Sequence, residues 1–274
     1  MSQYENYHQT AGTYDQTRVP IGVDIILETF GRHEKPLDEQ RILDAGCGTG
    51  NYTEAILKSV GEIVALDGNE AMLREAEGKL SASPFDNFEL NRCTLPGLAV
   101  GDESVDGIMI NQVIHHFDPE DDYKVLRALI GEASRALGAG GHFVINTCGH
   151  TQLREAYWYA SFMPLAVERV LRRYPPVECI MTALNQAGFC DLRQVVPVEE
   201  LFFGEAYFDL DGPGKAEWRA GDSLWALLSE AELSDAMADY DRVRKAGQLP
   251  ELFERYETVR KQIGQTVFIS GRKQ

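Results

Sequence analysis

The stretch "ILDAGCGTGN", residues 42–51, decides how the chain is read. An apolar run, "RILDA", ends in three glycines at alternate positions, Gly46, Gly48 and Gly50, and the helical pattern "NYTEAILKSVG" follows, closed by Gly61. A strand, a glycine-rich loop and a helix N-terminus form the usual cradle for a phosphate or nucleoside, because glycine takes positive φ and lets backbone approach a ligand. A dinucleotide fingerprint has the spacing G-x-G-x-x-G, whereas this loop is G-x-G-x-G followed by Asn51. A tight strand-to-helix turn is the plainer alternative.

Outward from the loop, strand and helix patterns alternate. "EIVALD" reads as a second strand and "NEAMLREAEGKL" as a second helix. "NFELNRC", "VDGIMINQV" and "HFVINT" read as strands three to five, with the helix "DDYKVLRALIGEASRAL", closed by the turn "GAGG", between the last two. "PVECIMTALNQAGF" reads as a helix, and "DLRQVVPV" and "QTVFISGRK" as the final strands. Such alternation implies right-handed crossovers and a mostly parallel sheet covered on both faces, an α/β fold. Residues 1–37 hold an amphipathic helix with Val23, Ile26, Leu27 and Phe30 on one face and Gly31 as its stop. About 65 residues, Val198 to Gly264, separate the last two strands, too many for a hairpin loop. With two helices of its own, 198–264 reads as a lid over a 38–197 core, and 265–274 as the closing strand of a single 1–274 domain.

Composition narrows the class. The net charge is −17, from 43 acidic residues against 26 Lys and Arg, which argues against nucleic acid or an anionic membrane as partner. The five cysteines, Cys47, Cys93, Cys148, Cys179 and Cys190, show no C-x-x-C spacing and suggest free thiols in a reducing, cytoplasmic setting, with no metal site. The N-terminus "MSQYENYHQT" lacks the basic and apolar regions of a secretory signal, and no apolar run approaches the roughly 20 residues needed to span a bilayer. A homodimer is left open.

Asp67 ends the second strand, 19 residues beyond Gly48. An acid at that tip can accept both hydroxyls of a ribose. Alternatively it caps the helix that begins near Glu70. With this residue added, "ILDAGCGTGNYTEAI", "VALDGNEAML" and "CTLPGLAVGDESVDGIMINQVIHHF" together resemble the class I S-adenosylmethionine-dependent methyltransferases, in the style of the ubiquinone/menaquinone-biosynthesis group. The resemblance covers residues 12–147 and implies S-adenosyl-L-methionine as cofactor and a Rossmann-like, seven-stranded sheet in the order 3-2-1-4-5-7-6, strand seven antiparallel. It implies that Gly46, Cys47, Gly48 and Gly50 border the methionine moiety, with Asp44 beneath. Asp67 would hold the ribose, with Gly68 and Met72 flanking the adenine. The position where the family commonly has an Asp lies near Asn91, leaving the adenine contact among Asn91, Arg92 and Cys93, with Thr94 as a further cofactor contact before Leu95 and Pro96. Asn111 matches a backbone contact to the cofactor's amino group, and Tyr14 and Arg18 match a segment that closes over its carboxylate.

Methyl transfer is an in-line displacement, so the protein mainly aligns a nucleophile, adding a base where the acceptor needs one. His115 and His116 in "NQVIHHF", and His150 after strand five, are candidate bases; packing is the alternative for the pair. Tyr157, Trp158, Phe162 and Phe203 are candidate walls of a small-molecule acceptor pocket, although such aromatics also build cores. Three other readings compete. A non-catalytic cofactor-binding scaffold needs no such loop. An arsenite-type methyltransferase needs Cys148, Cys179 and Cys190 to converge. A nicotinamide-dependent oxidoreductase fits poorly with the loop spacing and the Leu95-Pro96 motif.

Overall fold

The computed structural model describes residues 19–117, 119 and 122–274; Tyr14 and Arg18 lie outside them. Along the chain the elements are α1 (Val23–Phe30), β1 (Arg41–Ala45), α2 (Asn51–Leu57), β2 (Glu62–Asp67), α3 (Glu70–Ser81), β3 (Phe88–Arg92), β4 (Val105–Asn111), α4 (Lys124–Ala136) and β5 (Leu137–Thr147). There follow α5 (His150–Glu155), α6 (Pro164–Leu171), α7 (Val177–Gln186), β6 (Phe189–Val195), α8 (Ala216–Arg219), α9 (Ser223–Ala226), α10 (Glu230–Lys245), α11 (Leu249–Ile263) and β7 (Val267–Lys273).

Strands β1, β2 and β4 are buried at nearly every position rather than at alternate ones, as expected of strands covered on both faces. The sheet order is β3-β2-β1-β4-β5-β7-β6, with β7 antiparallel to both of its neighbours, as the family resemblance implies. On one face Ile26 and Phe30 of α1, Ile56 of α2 and Leu80 of α3 pack on Ile42, Ile63, Met109 and Val144. On the other, Leu129 and Ile130 of α4 and Ile180 and Leu184 of α7 pack on Leu43, Val64, Ile108 and Phe143. Among the described residues no helix is long and apolar enough to cross a membrane.

Three local departures have physical reasons. Helix α2 stops at Leu57, short of Gly61, because the Asn87 amide donates to the Leu57 and Val60 carbonyls at 3.1 and 2.8 Å. The "GAGG" segment lies within β5, where the register with β4 shifts between Leu137 and His142, so α4 gives way directly to strand. The 198–264 segment contains four α-helices and two short 3-10 helices instead of two helices, since α8 and α9 are single turns too short to show a period. The longer α10 does carry a sequence signal, the capping box Ser229–Glu232.

This segment builds a third core with residues 148–174. Trp158, Tyr159, Phe203, Tyr207, Trp218 and Trp225 interlock in it, the Tyr159 and Trp218 rings edge to face at 4.9 Å. A buried ion pair ties it to the chain entering from β6. Glu257 and Arg260 side chains are each 4% exposed and 2.7 Å apart. Arg260 Nη1 donates to the Val198 carbonyl at 2.5 Å. Removing one partner strands a buried charge, so Glu257→Ala should lower unfolding free energy by about 3–5 kcal/mol in urea titrations. A loss under about 1 kcal/mol would show the pair to be dispensable.

Candidate functional site

The loop after β1 is stapled to β2. Gly46 and Cys47 N–H both donate to the Leu66 carbonyl, at 2.7 and 2.9 Å. A Cβ on Gly46, at φ +80°, would stand 2.7 Å from Val113, whereas one on Gly48, at φ +55°, would meet nothing within 4 Å. The loop therefore needs glycine at its base for packing and at its crest leaves open space. Asp67, at the tip of β2, closes the arrangement: Gly48 N–H donates to its Oδ2 at 3.0 Å and Asn69 N–H to its Oδ1 at 2.7 Å. The cap of α3 is Asn69, whose Oδ1 accepts from Ala71 N–H at 2.9 Å, so Asp67 is not the cap.

Burial raises the Asp67 carboxyl above the usual carboxylate range, against the pull of these N–H groups and of His116. Asp44 lies under the loop, 1% exposed, and accepts from the Thr53 hydroxyl at 2.6 Å. Burial pushes its pKa to about 7, Thr53 opposing and the nearby Asp67 charge adding to the rise. Burial likewise raises the Cys47 thiol, with the Asp44 and Asp67 charges adding to the rise.

These groups face a cavity of about 220 Å³. Asp44, Gly46, Cys47, Gly48, Asp67, Gly68, Met72, Cys93, Thr94 and Asn111 lie on its wall, together with His116. Both polar atoms of the Asn111 side chain are buried there without a hydrogen-bond partner among the described residues. Two expected residues do not reach it. Gly50 is the N-cap of α2, and Arg92 points outward, its side chain 64% exposed, toward Glu70 at 3.7 Å. Pro20 also lies on the wall, and the next residue is held by Tyr52, whose hydroxyl pairs with the Ile21 N–H and carbonyl at 3.2 and 3.1 Å.

A second cavity, of about 70 Å³, adjoins the first and shares Gln112, His116 and Phe202 with it. His115, Tyr157 and Phe203 lie on its wall. Trp158 and Phe162 do not: the Trp158 indole N–H donates to the Tyr207 carbonyl at 3.0 Å, and Phe162 packs edge-on against Tyr240 at 5.6 Å, both inside the third core. His150 is off both walls, its Nε2 2.8 Å from the Tyr174 carbonyl oxygen. Nor do the cysteines converge. Cys148 follows β5 and borders the second cavity, Cys179 is exposed on α7, and Cys190 lies beside Arg272, which pairs with His142 in the middle of β5. The five steps from His142 to Thr147 alone span about 17 Å. Among the described residues no three His, Cys, Asp or Glu side chains form a metal-binding group.

The sequence reading missed Gln112, Tyr174 and Asp222. Gln112 follows the β4 tip at φ +54°, a backbone conformation uncommon for non-glycine residues and enriched at functional sites. Its Nε2 donates to Asn146 Oδ1 and Thr266 Oγ1, both at 3.1 Å. The Asn146 amide in turn donates to the Tyr52 hydroxyl at 2.9 Å. One polar network thus links Tyr52, on the wall of the first cavity, to Gln112, which borders both. Asp222 announces itself in "GDSLW" only as a helix cap. No local signal in the sequence aims it at a cavity.

Residues 42–141 match the model of a family described as "Methyltransferase domain". The mitochondrial ubiquinone biosynthesis O-methyltransferase of Bos taurus is 28% identical over 144 residues, 51% of this chain and 37% of that protein. Phosphoethanolamine N-methyltransferase 1 of Triticum aestivum is 30% identical over 112 residues, 40% of this chain and 22% of that protein. The chain thus spans less than half the length of these curated relatives. A putative methyltransferase from an antibiotic biosynthesis pathway of Anabaena variabilis shares the fold, with a TM-score of 0.73 and 23% identity over 93% of this chain and 99% of that one. The domain match over residues 42–141, the strand order and the loop–acid geometry agree with one another, and in that region the chain is similar to class I S-adenosylmethionine-dependent methyltransferases.

Proposed function

We propose that the chain transfers the methyl group of S-adenosylmethionine to a small-molecule acceptor held in the second cavity. The observation that carries this reading is the Asp67 carboxylate, fixed by two backbone N–H groups on the wall of a cavity that opens toward a second one. Each carboxylate oxygen keeps lone pairs for a ribose hydroxyl after accepting one N–H. The unsatisfied Asn111 side chain and the open crest at Gly48 fit a ligand with polar groups of its own. Met72 and Leu95 supply apolar surface for a base.

In this reading Asp67 holds the ribose, the Gly46–Gly48 backbone meets the methionine moiety, and Asn111 takes the amino group. The cofactor supplies a sulfonium-activated methyl, so the chain's own task is alignment and exclusion of water. His116, on the wall of both cavities, is the better-placed candidate to take a proton from the acceptor; His115 stacks on Tyr174 at 4.5 Å. Five free cysteines suit a reducing, cytoplasmic setting.

Incubation with S-adenosylmethionine and panels of amines, phenols, thiols and carboxylic acids, read by mass spectrometry, should yield S-adenosylhomocysteine only when an acceptor is present. Cofactor binding without any acceptor-dependent product would favour the scaffold reading. In calorimetric titrations, Asp67→Ala should weaken S-adenosylhomocysteine binding by about 1–3 kcal/mol through lost charge-assisted bonds. Unchanged affinity would remove Asp67 from the ribose role.

Asp44 adds a pH signature. Its carboxyl titrates near 7 when folded, against 3.8 for an unperturbed Asp. The folded chain therefore holds this proton more tightly than the unfolded one. Its contribution is fully present below about pH 4 and is lost as pH rises toward 7, by up to about 4 kcal/mol. Asp44→Asn keeps an acceptor for Thr53 and carries no charge. Unfolding free energies at pH 5 and 8 should therefore differ less in the variant than in the wild type. An equal difference would mean that Asp44 is ionised throughout.

A further inference from the structure

On the methyl-transfer reading, which it extends, we infer that the second cavity selects acceptors carrying an ammonium or neutral N–H group and rejects anionic ones. Two of the groups that line the cavity, the Gln112 amide oxygen and the Asp222 carboxylate, are hydrogen-bond acceptors held in place by other bonds. Gln112 cannot turn its amide without losing two bonds, because Nε2 donates to both Asn146 and Thr266. Its Oε1 accepts from the Tyr174 hydroxyl at 3.4 Å and the Cys148 thiol at 3.7 Å, so the acceptor still open to a ligand is Asp222. Asp222 supplies a carboxylate. Its Oδ1 accepts from Leu224 N–H at 2.8 Å and its Oδ2 from the Tyr159 hydroxyl at 2.5 Å, so the group is held in place while each oxygen retains a free lone pair.

The remaining walls favour the same ligand. Tyr157, Phe202 and Phe203 present aromatic surface beside Asp222, and an ammonium is attracted to aromatic faces as well as to a carboxylate. Among the described residues no Lys or Arg lines either cavity; His115 and His116 are the groups there able to become cationic. Among the described residues a phosphate or carboxylate head would meet Asp222 with no Lys or Arg as counter-charge, and like charges at close range in a partly buried site repel strongly. Asp222 borders the second cavity and not the first, whereas Gln112 and His116 border both. The ammonium end of the acceptor is therefore assigned to Asp222, and its nucleophile to the Gln112–His116 side.

The test uses three probes with one body and different heads: benzylamine, benzyl alcohol and benzoate. Each is titrated calorimetrically into the full chain saturated with S-adenosylhomocysteine. Benzylamine should bind at least about ten times more tightly than benzoate, with the alcohol between them. Asp222→Asn, which keeps an oxygen for the Leu224 cap, should abolish the preference for amine over alcohol. Benzoate binding as well as benzylamine overturns the inference whether or not the variant folds. So does the absence of binding by all three probes. If S-adenosylhomocysteine itself fails to bind, the methyl-transfer reading falls, and the amine preference is then read from titrations of the chain alone. An amine preference there keeps the charge selectivity of the cavity standing, and its absence overturns it.

Discussion

The Asp67 carboxylate joins the ends of two neighbouring strands. By accepting from Gly48 on one side and Asn69 on the other, it fixes the crest of the glycine loop relative to the start of α3. The loop's base is held independently by the Leu66 carbonyl. A partly buried carboxylate that satisfies two backbone donors costs far less than an unpaired one. Burial still raises its pKa, while the two N–H groups and His116 pull the other way. Loss of that side chain would free the loop crest and leave two backbone donors to find water.

The second cavity depends on a different constraint. The sheet supplies Gln112 and Asn146 at the ends of β4 and β5, and Thr266 just before β7 orients both amides. The aromatic core of residues 148–174 and 198–264 then lays Tyr157, Phe203 and Asp222 over that polar floor. Glu200 adds a long-range tie, both carboxylate oxygens lying within 3.0 Å of the Gly22 N–H, so the start of the insertion is attached to the N-terminus of α1. Phe202, two residues on, borders both cavities. The insertion is thus part of the cavity wall and shares its anchoring with the segment that carries Pro20.

Much of the fold could be read from local pattern because its strands are short, apolar and separated by clear helices. Gly46, Gly48 and Asp67 on the first cavity's wall were legible for the same reason, since they sit at strand tips and strand tips are visible in the sequence, whereas Asn111 was named through the family resemblance. The second cavity was not legible. Trp158 and Phe162 look like Tyr157 and Phe203 in sequence, and only tertiary packing separates core from wall. Asp222 carries the signature of a cap and has that role too. Gln112 differs from its neighbours by a left-handed backbone turn that no residue preference announces. Arg92 shows the opposite failure: a motif position counted inward whose side chain lies on the outer side of the β3 tip.

The central claim is that the loop and Asp67 together hold the nucleoside of the cofactor. A crystal structure of the chain with S-adenosylhomocysteine tests it most directly. On the proposed function, both ribose hydroxyls should lie within hydrogen-bond distance of the Asp67 carboxylate, about 2.5–3.0 Å, with the sulfur facing Gln112 and His116. Electron density for the ligand elsewhere, or a ribose turned away from Asp67, would contradict it.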